Sequence, residues 1–307
     1  MPARLAIHVG PHKTGSTSVQ RALAAAREEL AAAGVWYPPS LPDASWPDQH
    51  ADVWLLLREG RGAEFDAWLD ATWAAAAGRG CDTLLLSSEN FHVPRTWRAL
   101  EGSLRRFRRR TGGETVLVYV RRNLADLALS RALSHLAGEA GFYFHHGYDL
   151  RGWATCFALE EARHERRFRR RGARFVDAGA TSREGLAAAV LEAATGRPFP
   201  GIVTGEGNTS RGRLGNRDAV LSYTLRVMHH FAADAPANAP AAFAAAGRVV
   251  RGIDVDDAAW DALLEGFRAG VEREVRAGIA DFEALGPLAR AWRSWRTAGR
   301  VQGRGIG

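Results

Sequence analysis

The stretch "LAIHVGPHKTGSTSVQRAL", residues 5–23, decides how this chain is read. It begins within an apolar run, "RLAIHV" (4–9), that ends in Gly-Pro, as a strand buried on both faces does. "STSVQRALAAAREELAAAG" (16–34) follows with helical spacing, a Ser/Thr-rich start and Gly34 as a stop. The order is strand, glycine loop, helix. Such a loop lets backbone N–H groups approach an anion, and the helix N-terminus favours negative charge there. Ser16 and Thr17 add hydroxyl donors. The plain alternative is a strand-to-helix turn with a serine cap. Against it stand Pro11, the S-T-S run and Lys13, the single lysine among 41 Lys and Arg residues. A compact ammonium on a flexible stem does something that a planar guanidinium does not.

Working outward, "DTLLLSSENF" (82–91), "ETVLVYVRRN" (114–123) and "ARFVDAGA" (173–180) read as further strands. Helices are expected over 63–77 and 124–138, and the proline-rich segment 35–54 is expected to be irregular. Strands separated by helices imply βαβ units and a parallel sheet, with ligands bound beyond the carboxyl ends of the strands. The reading is a single domain over 1–307. Within it, 1–200 form an α/β cofactor-binding core and 201–300 a helical C-terminal part or lid, with 259–279 the clearest helix.

With 46% hydrophobic and 24% charged residues, the 307-residue chain reads as globular. "MPARLAIHVG" moves directly into a strand, so no secretory start is expected, and no stretch approaches the ~20 apolar residues of a membrane span. Two cysteines, Cys81 and Cys156, make neither a disulfide framework nor a zinc spacing, and a reducing cytoplasm is the expected compartment. The net charge is +7. Its basic runs, "RRFRRR" (105–110) and "RHERRFRRRGAR" (163–174), lack interleaved aromatics apart from Phe107 and Phe168. They are read as solvated helix faces rather than a nucleic-acid surface.

Gly10 and Gly15 have the spacing of the nucleotide loop G-x-x-x-x-G-K-[ST], but Ser16 and Thr17 follow and the lysine sits inside. "GPHKTGSTSVQ" instead resembles the 5′-phosphosulfate loop of sulfotransferases that use 3′-phosphoadenosine 5′-phosphosulfate (PAPS). That loop reads P-K-[ST]-G-[ST]-[ST] before a helix. Lys13, Thr14, Gly15, Ser16 and Thr17 match position by position, with His12 inserted between Pro11 and the lysine. The resemblance implies a P-loop NTPase-like α/β fold, a central parallel sheet flanked by helices. It also implies transfer of a sulfuryl group from PAPS to a hydroxyl or amine of a small-molecule, lipid or carbohydrate acceptor, without a metal. Gly10 to Thr17 would hold the 5′-phosphosulfate, and PAP (3′,5′-ADP) would be the product.

"VYVRRNLADLALS" resembles the strand and helix with which this family binds the 3′-phosphate, an Arg with a Ser eight residues later. Arg122 and Ser130 have that spacing, and Arg121 is one residue out of register. Asn123 and Leu124 stand where the family often has Asp-Pro. In "LLLSSENFHVP", the resemblance to "SSE" segments implies that Glu89 is the base for the acceptor's proton. A helix-cap arrangement with Ser88 or Asn90 capping is the alternative. His50 is the rival base. His92, His145 and His146 are expected to be packing or surface residues. In "GEGNTSRGRLGN" (205–216), Asn208, Ser210 and Arg211 are candidates for a loop closing over the nucleotide. No metal ligands are expected. Two other readings stay open, a P-loop-type small-molecule kinase and a non-catalytic nucleotide- or nucleic-acid-binding protein. The oligomeric state is not legible.

Overall fold

A computed structural model describes residues 3–41, 44, 47–93, 96–138, 150–204 and 257–286. Its contacts divide the chain into two units, one of residues 1–123 and 164–207, the other of 124–163 and 208–307. This differs from a simple division near residue 200, because residues 124–163 group with the C-terminal part.

The first unit is α/β. Its strands are β1 (Arg4–Val9), β2 (Val35–Trp36), β3 (Thr83–Ser87), β4 (Glu114–Arg121) and β5 (Arg174–Asp177). All are parallel, in the order β2-β3-β1-β4-β5, with Leu5 opposite both Leu84 and Thr115. The described helices of the chain are α1 (Ser16–Ala25), α2 (Arg27–Ala32), α3 (Ala51–Arg58), α4 (Gly62–Gly78), α5 (Trp97–Thr111), α6 (Leu124–Gly138), α7 (Leu150–Arg170), α8 (Leu186–Thr195) and α9 (Asp257–Ala284). The segment 35–54, read as irregular, thus holds a two-residue strand and the start of α3. The expected helix 16–34 breaks at Ala26 into two.

Strand alternation sorts the core into two layers. Leu5, Ile7 and Val9 pack with Leu84, Leu86, Leu117 and Tyr119 under α3, α4 and α5. Ala6, Leu85, Val116, Val118 and Val120 pack with α1, α2 and α8. Because β1 is central and covered on both faces, it is apolar on both of them, at Leu5, Ala6, Ile7 and Val9. Burying each such Leu or Ile stabilises by roughly 1.5–3 kcal/mol. The chain leaves β1 towards one face, into α1, and leaves β3 towards the other, into α5. Neighbouring strands whose connections diverge in this way open a crevice between their carboxyl ends.

The basic runs are partly neutralised by acidic neighbours. Arg106 pairs with Asp66 and Arg110 with Asp70, while Arg169–Glu165 and Arg171–Glu101 are each 2.6 Å apart. Such exposed pairs contribute about 0–1 kcal/mol each. The His92 ring is buried, edge-on to His164 (centroids 4.1 Å apart) and stacked with Phe168.

In the second unit, α6, α7 up to residue 163, and α9 share a core of Ala128, Ala132, Trp153, Ala158, Val271, Val275 and Ile279. Close approach of α7 and α9 depends on Gly278, where a Cβ would overlap the Arg151 carbonyl. Thr155 Oγ1 donates to the Gly278 carbonyl at 2.8 Å, and Arg151 forks onto Asp281 at 2.6 and 2.8 Å. Among the described residues no helix is long and apolar enough to cross a membrane.

Candidate functional site

Residues 10–17 lie at the carboxyl end of β1, at the crevice between β1 and β3. Gly10 is required by packing, since a Cβ there would come within 2.6 Å of the Val120 carbonyl oxygen on β4. Gly15 has φ 95, a left-handed conformation that glycine adopts without penalty, and its missing Cβ makes room for Leu186. Lys13 has φ 76 and is the one described non-glycine residue with positive φ. A side chain held there costs on the order of 1 kcal/mol. Thr14 Oγ1 donates to the Pro11 carbonyl at 2.9 Å and lies 3.2 Å from Ser16 Oγ, so the loop braces itself from inside.

Helix α1 starts at Ser16. Gly15 precedes it with no side-chain cap, and its first turn carries no acidic residue. The positive end of the helix dipole is therefore not offset by a carboxylate from its own first turn. Thr14 and Ser16 are buried, Lys13 is half-buried, and His12 and Thr17 are exposed.

Across the crevice, β3 ends at Ser87. Ser88 Oγ accepts from the Asn90 N–H at 3.1 Å and starts a 3-10 turn, Glu89–His92. The cap is thus Ser88, as the alternative reading had it, while the Glu89 carboxylate has another partner. Glu89 is buried, and its Oε2 accepts from Gln20 Nε2 of α1 at 3.1 Å. The helix opened by the glycine loop therefore also holds the carboxylate. Sequence reasoning missed Gln20. The available signal was its spacing, because Ser16, Val19, Gln20 and Leu23 form the buried stripe of α1 and a glutamine within such a stripe needs a partner.

His50 is fully buried, and both ring nitrogens are engaged. Its Nδ1 accepts from the Ser87 N–H at 2.9 Å, which leaves the proton on Nε2, 3.2 Å from the Pro38 carbonyl. Its own backbone N–H donates to the Ser87 carbonyl at 2.9 Å. Strand β2 is two residues long, and His50 takes over as the edge partner of β3 where β2 has ended. This geometry leaves His50 no lone pair for an acceptor's proton and weighs against it as the base.

Burial pulls His50 from 6.5 to about 4, against the hydrogen bonds to Pro38 and Ser87, which raise it. A folded-state value below the unfolded one means that the unfolded chain binds the extra proton. Its contribution is therefore complete above pH 6.5 and is lost as pH falls towards 4. Denaturant titrations should show the unfolding midpoint falling over that window. The fall should be shallower in His50→Gln, and equal pH dependence in the two proteins would refute a neutral, structural His50.

At the end of β4 the two arginines part. Arg121 pairs with Asp177 at 3.2 Å and Glu165 at 3.7 Å. Arg122 is exposed and donates from Nη1 to the Lys13 carbonyl at 3.2 Å. Of the pair, Arg122 is the one in contact with the glycine loop. Ser130 lies in α6, in the second unit, and is buried. Asn208, Ser210, Arg211, His145 and His146 lie outside the described residues.

The structure thus brings residues 10–17, Arg122, Glu89 and Gln20 to one end of one sheet. Compared with protein-family models, curated proteins and solved structures, the chain matches none.

Proposed function

We propose that this chain is a PAPS-dependent sulfotransferase of P-loop-like fold. The observation that carries the reading is the pairing across the crevice. A glycine loop with its lysine at positive φ opens α1, and the same helix anchors the carboxylate of Glu89 through Gln20. Anion cradle and carboxylate base are the two parts that sulfuryl transfer to an alcohol requires.

In this reading the loop N–H groups and the uncapped end of α1 hold the 5′-phosphosulfate. The acceptor oxygen bonds to sulfur while the bond from sulfur to the bridging phosphate oxygen breaks. The electron pair of that bond stays on the phosphate, where Lys13 offsets the growing charge. The acceptor's proton passes to Glu89. The products are the sulfated acceptor and 3′,5′-ADP. Arg122, already at the loop, is the candidate for the 3′-phosphate, which a guanidinium fork suits. The transferred group carries less charge than a phosphoryl group, so protein cations suffice and no metal is required.

The test is a thermal shift. Ligand binding to the folded state stabilises by about 2.7 kcal/mol at a hundred times Kd. The melting temperature should rise with 3′,5′-ADP well beyond its rise with 5′-AMP or ATP, with or without magnesium. A response to ATP alone, and only with magnesium, would replace this reading with a kinase of the same fold. No response to any of the three nucleotides would remove both.

A further inference from the structure

His8 is a buried histidine in an otherwise apolar strand, and the reaction described above does not use it. Alternation along β1 places it with Ala6 on the face covered by α1, opposite Ile7 and Val9. It is 1% exposed, and its Nδ1 lies 2.8 Å from Ser87 Oγ. Its carbonyl accepts from the Ser88 N–H at 3.2 Å, so β1 and the turn bearing Glu89 are tied together at this residue. Nε2 is buried and has no hydrogen-bond partner. An orphaned buried polar group is destabilising, and a hydrophobic residue would fill the place without that cost. Burial pulls the imidazole from 6.5 to about 4, and the Glu89 carboxylate, the charged group acting on it, raises it.

We propose that His8 is a positioning residue for Glu89. In the loaded site its neutral ring, with Ser87 O–H donating to Nδ1 and the proton on Nε2, supplies a second neutral donor to the Glu89 carboxylate beside Gln20. A base must stay ionised and aimed, and it must also remain basic. Neutral donors fix the direction of a carboxylate, whereas an imidazolium or guanidinium in the same place would depress its affinity for the acceptor's proton further by adding a full opposite charge. Burial keeps His8 in the useful form. The inference rests on the reading of Glu89 as the base.

Two measurements test it, and only one depends on turnover. Nitrogen-15 NMR of histidine-labelled protein should show His8 at neutral pH as the tautomer protonated on Nε2. Its titration should move to lower pH in Glu89→Gln, because the charge that raises it is gone. The Nδ1-protonated tautomer, or a titration indifferent to Glu89→Gln, would overturn the proposal. In the kinetic arm, His8→Leu should lower kcat about a hundredfold, as misplacement of a reacting group does. The acceptor KM and the thermal shift by 3′,5′-ADP should barely move. His8→Gln keeps a neutral donor within reach of the same point and should recover most of kcat. Equal activity of the two variants would show that the ring only fills space. If wild-type protein ignores 3′,5′-ADP, the transferase reading fails, and the NMR arm still decides whether His8 and Glu89 act as a pair.

Discussion

Glu89→Gln is expected to lower kcat by about a hundredfold or more while leaving 3′,5′-ADP binding unchanged within about twofold. The substitution keeps the size of the side chain and an oxygen to accept from Gln20, so the 3-10 turn capped by Ser88 should stay in place. What it removes is the acceptor for the alcohol's proton, and an alcohol is a poor nucleophile at neutral pH. A positioned carboxylate contributes roughly a hundred- to ten-thousand-fold in such steps. Single-turnover assays with a panel of hydroxyl acceptors would measure this, alongside the nucleotide thermal shift. Full activity in Glu89→Gln would mean that Glu89 serves only the fold. Loss of nucleotide binding together with melting temperature would carry the same message. His50→Ala, which leaves the buried Ser87 N–H without its acceptor, should lower the melting temperature in either case.

Lys13 carries the second large effect. Lys13→Ala should reduce turnover about a hundred- to a thousandfold, the usual cost of losing a group that stabilises charge developing in the transition state. It should also weaken 3′,5′-ADP binding, because the ammonium meets phosphate in the ground state as well. Lys13→Arg should keep more binding than turnover, since the fork cannot place its charge at the same point. Lys13→Gly separates function from folding. At φ 76 glycine relieves the left-handed strain, so the melting temperature should hold or rise while activity disappears. A fully active Lys13→Arg would show that the lone lysine is an accident of composition.

Much of this architecture was legible along the chain because it is written in local periodicity. The run 4–9 is β1, residues 114–121 of the expected strand are β4, and 124–138 is α6, because apolar spacing and turn residues act over a few positions. The glycine loop was legible for the same reason, since its turn chemistry lies within eight consecutive residues. What lay beyond reach were contacts made at a distance in sequence. Nothing near residue 50 says that its imidazole completes the edge of a strand at residue 87, because β2 is too short to leave an alternating pattern. Nothing near residue 20 names residue 89 as the partner of a buried glutamine. The parting of Arg121 and Arg122 likewise depended on Asp177 and Glu165, which only the pairing of β4 with β5 and the placing of α7 bring near. His8 shows the division most clearly. A histidine inside an apolar strand is visible at once, but its tie to Ser87 exists only because β1 and β3 pair in register. Local sequence selects the elements, through propensity and period. The side-chain partners that make a site follow from register and layer packing, which are properties of the assembled sheet.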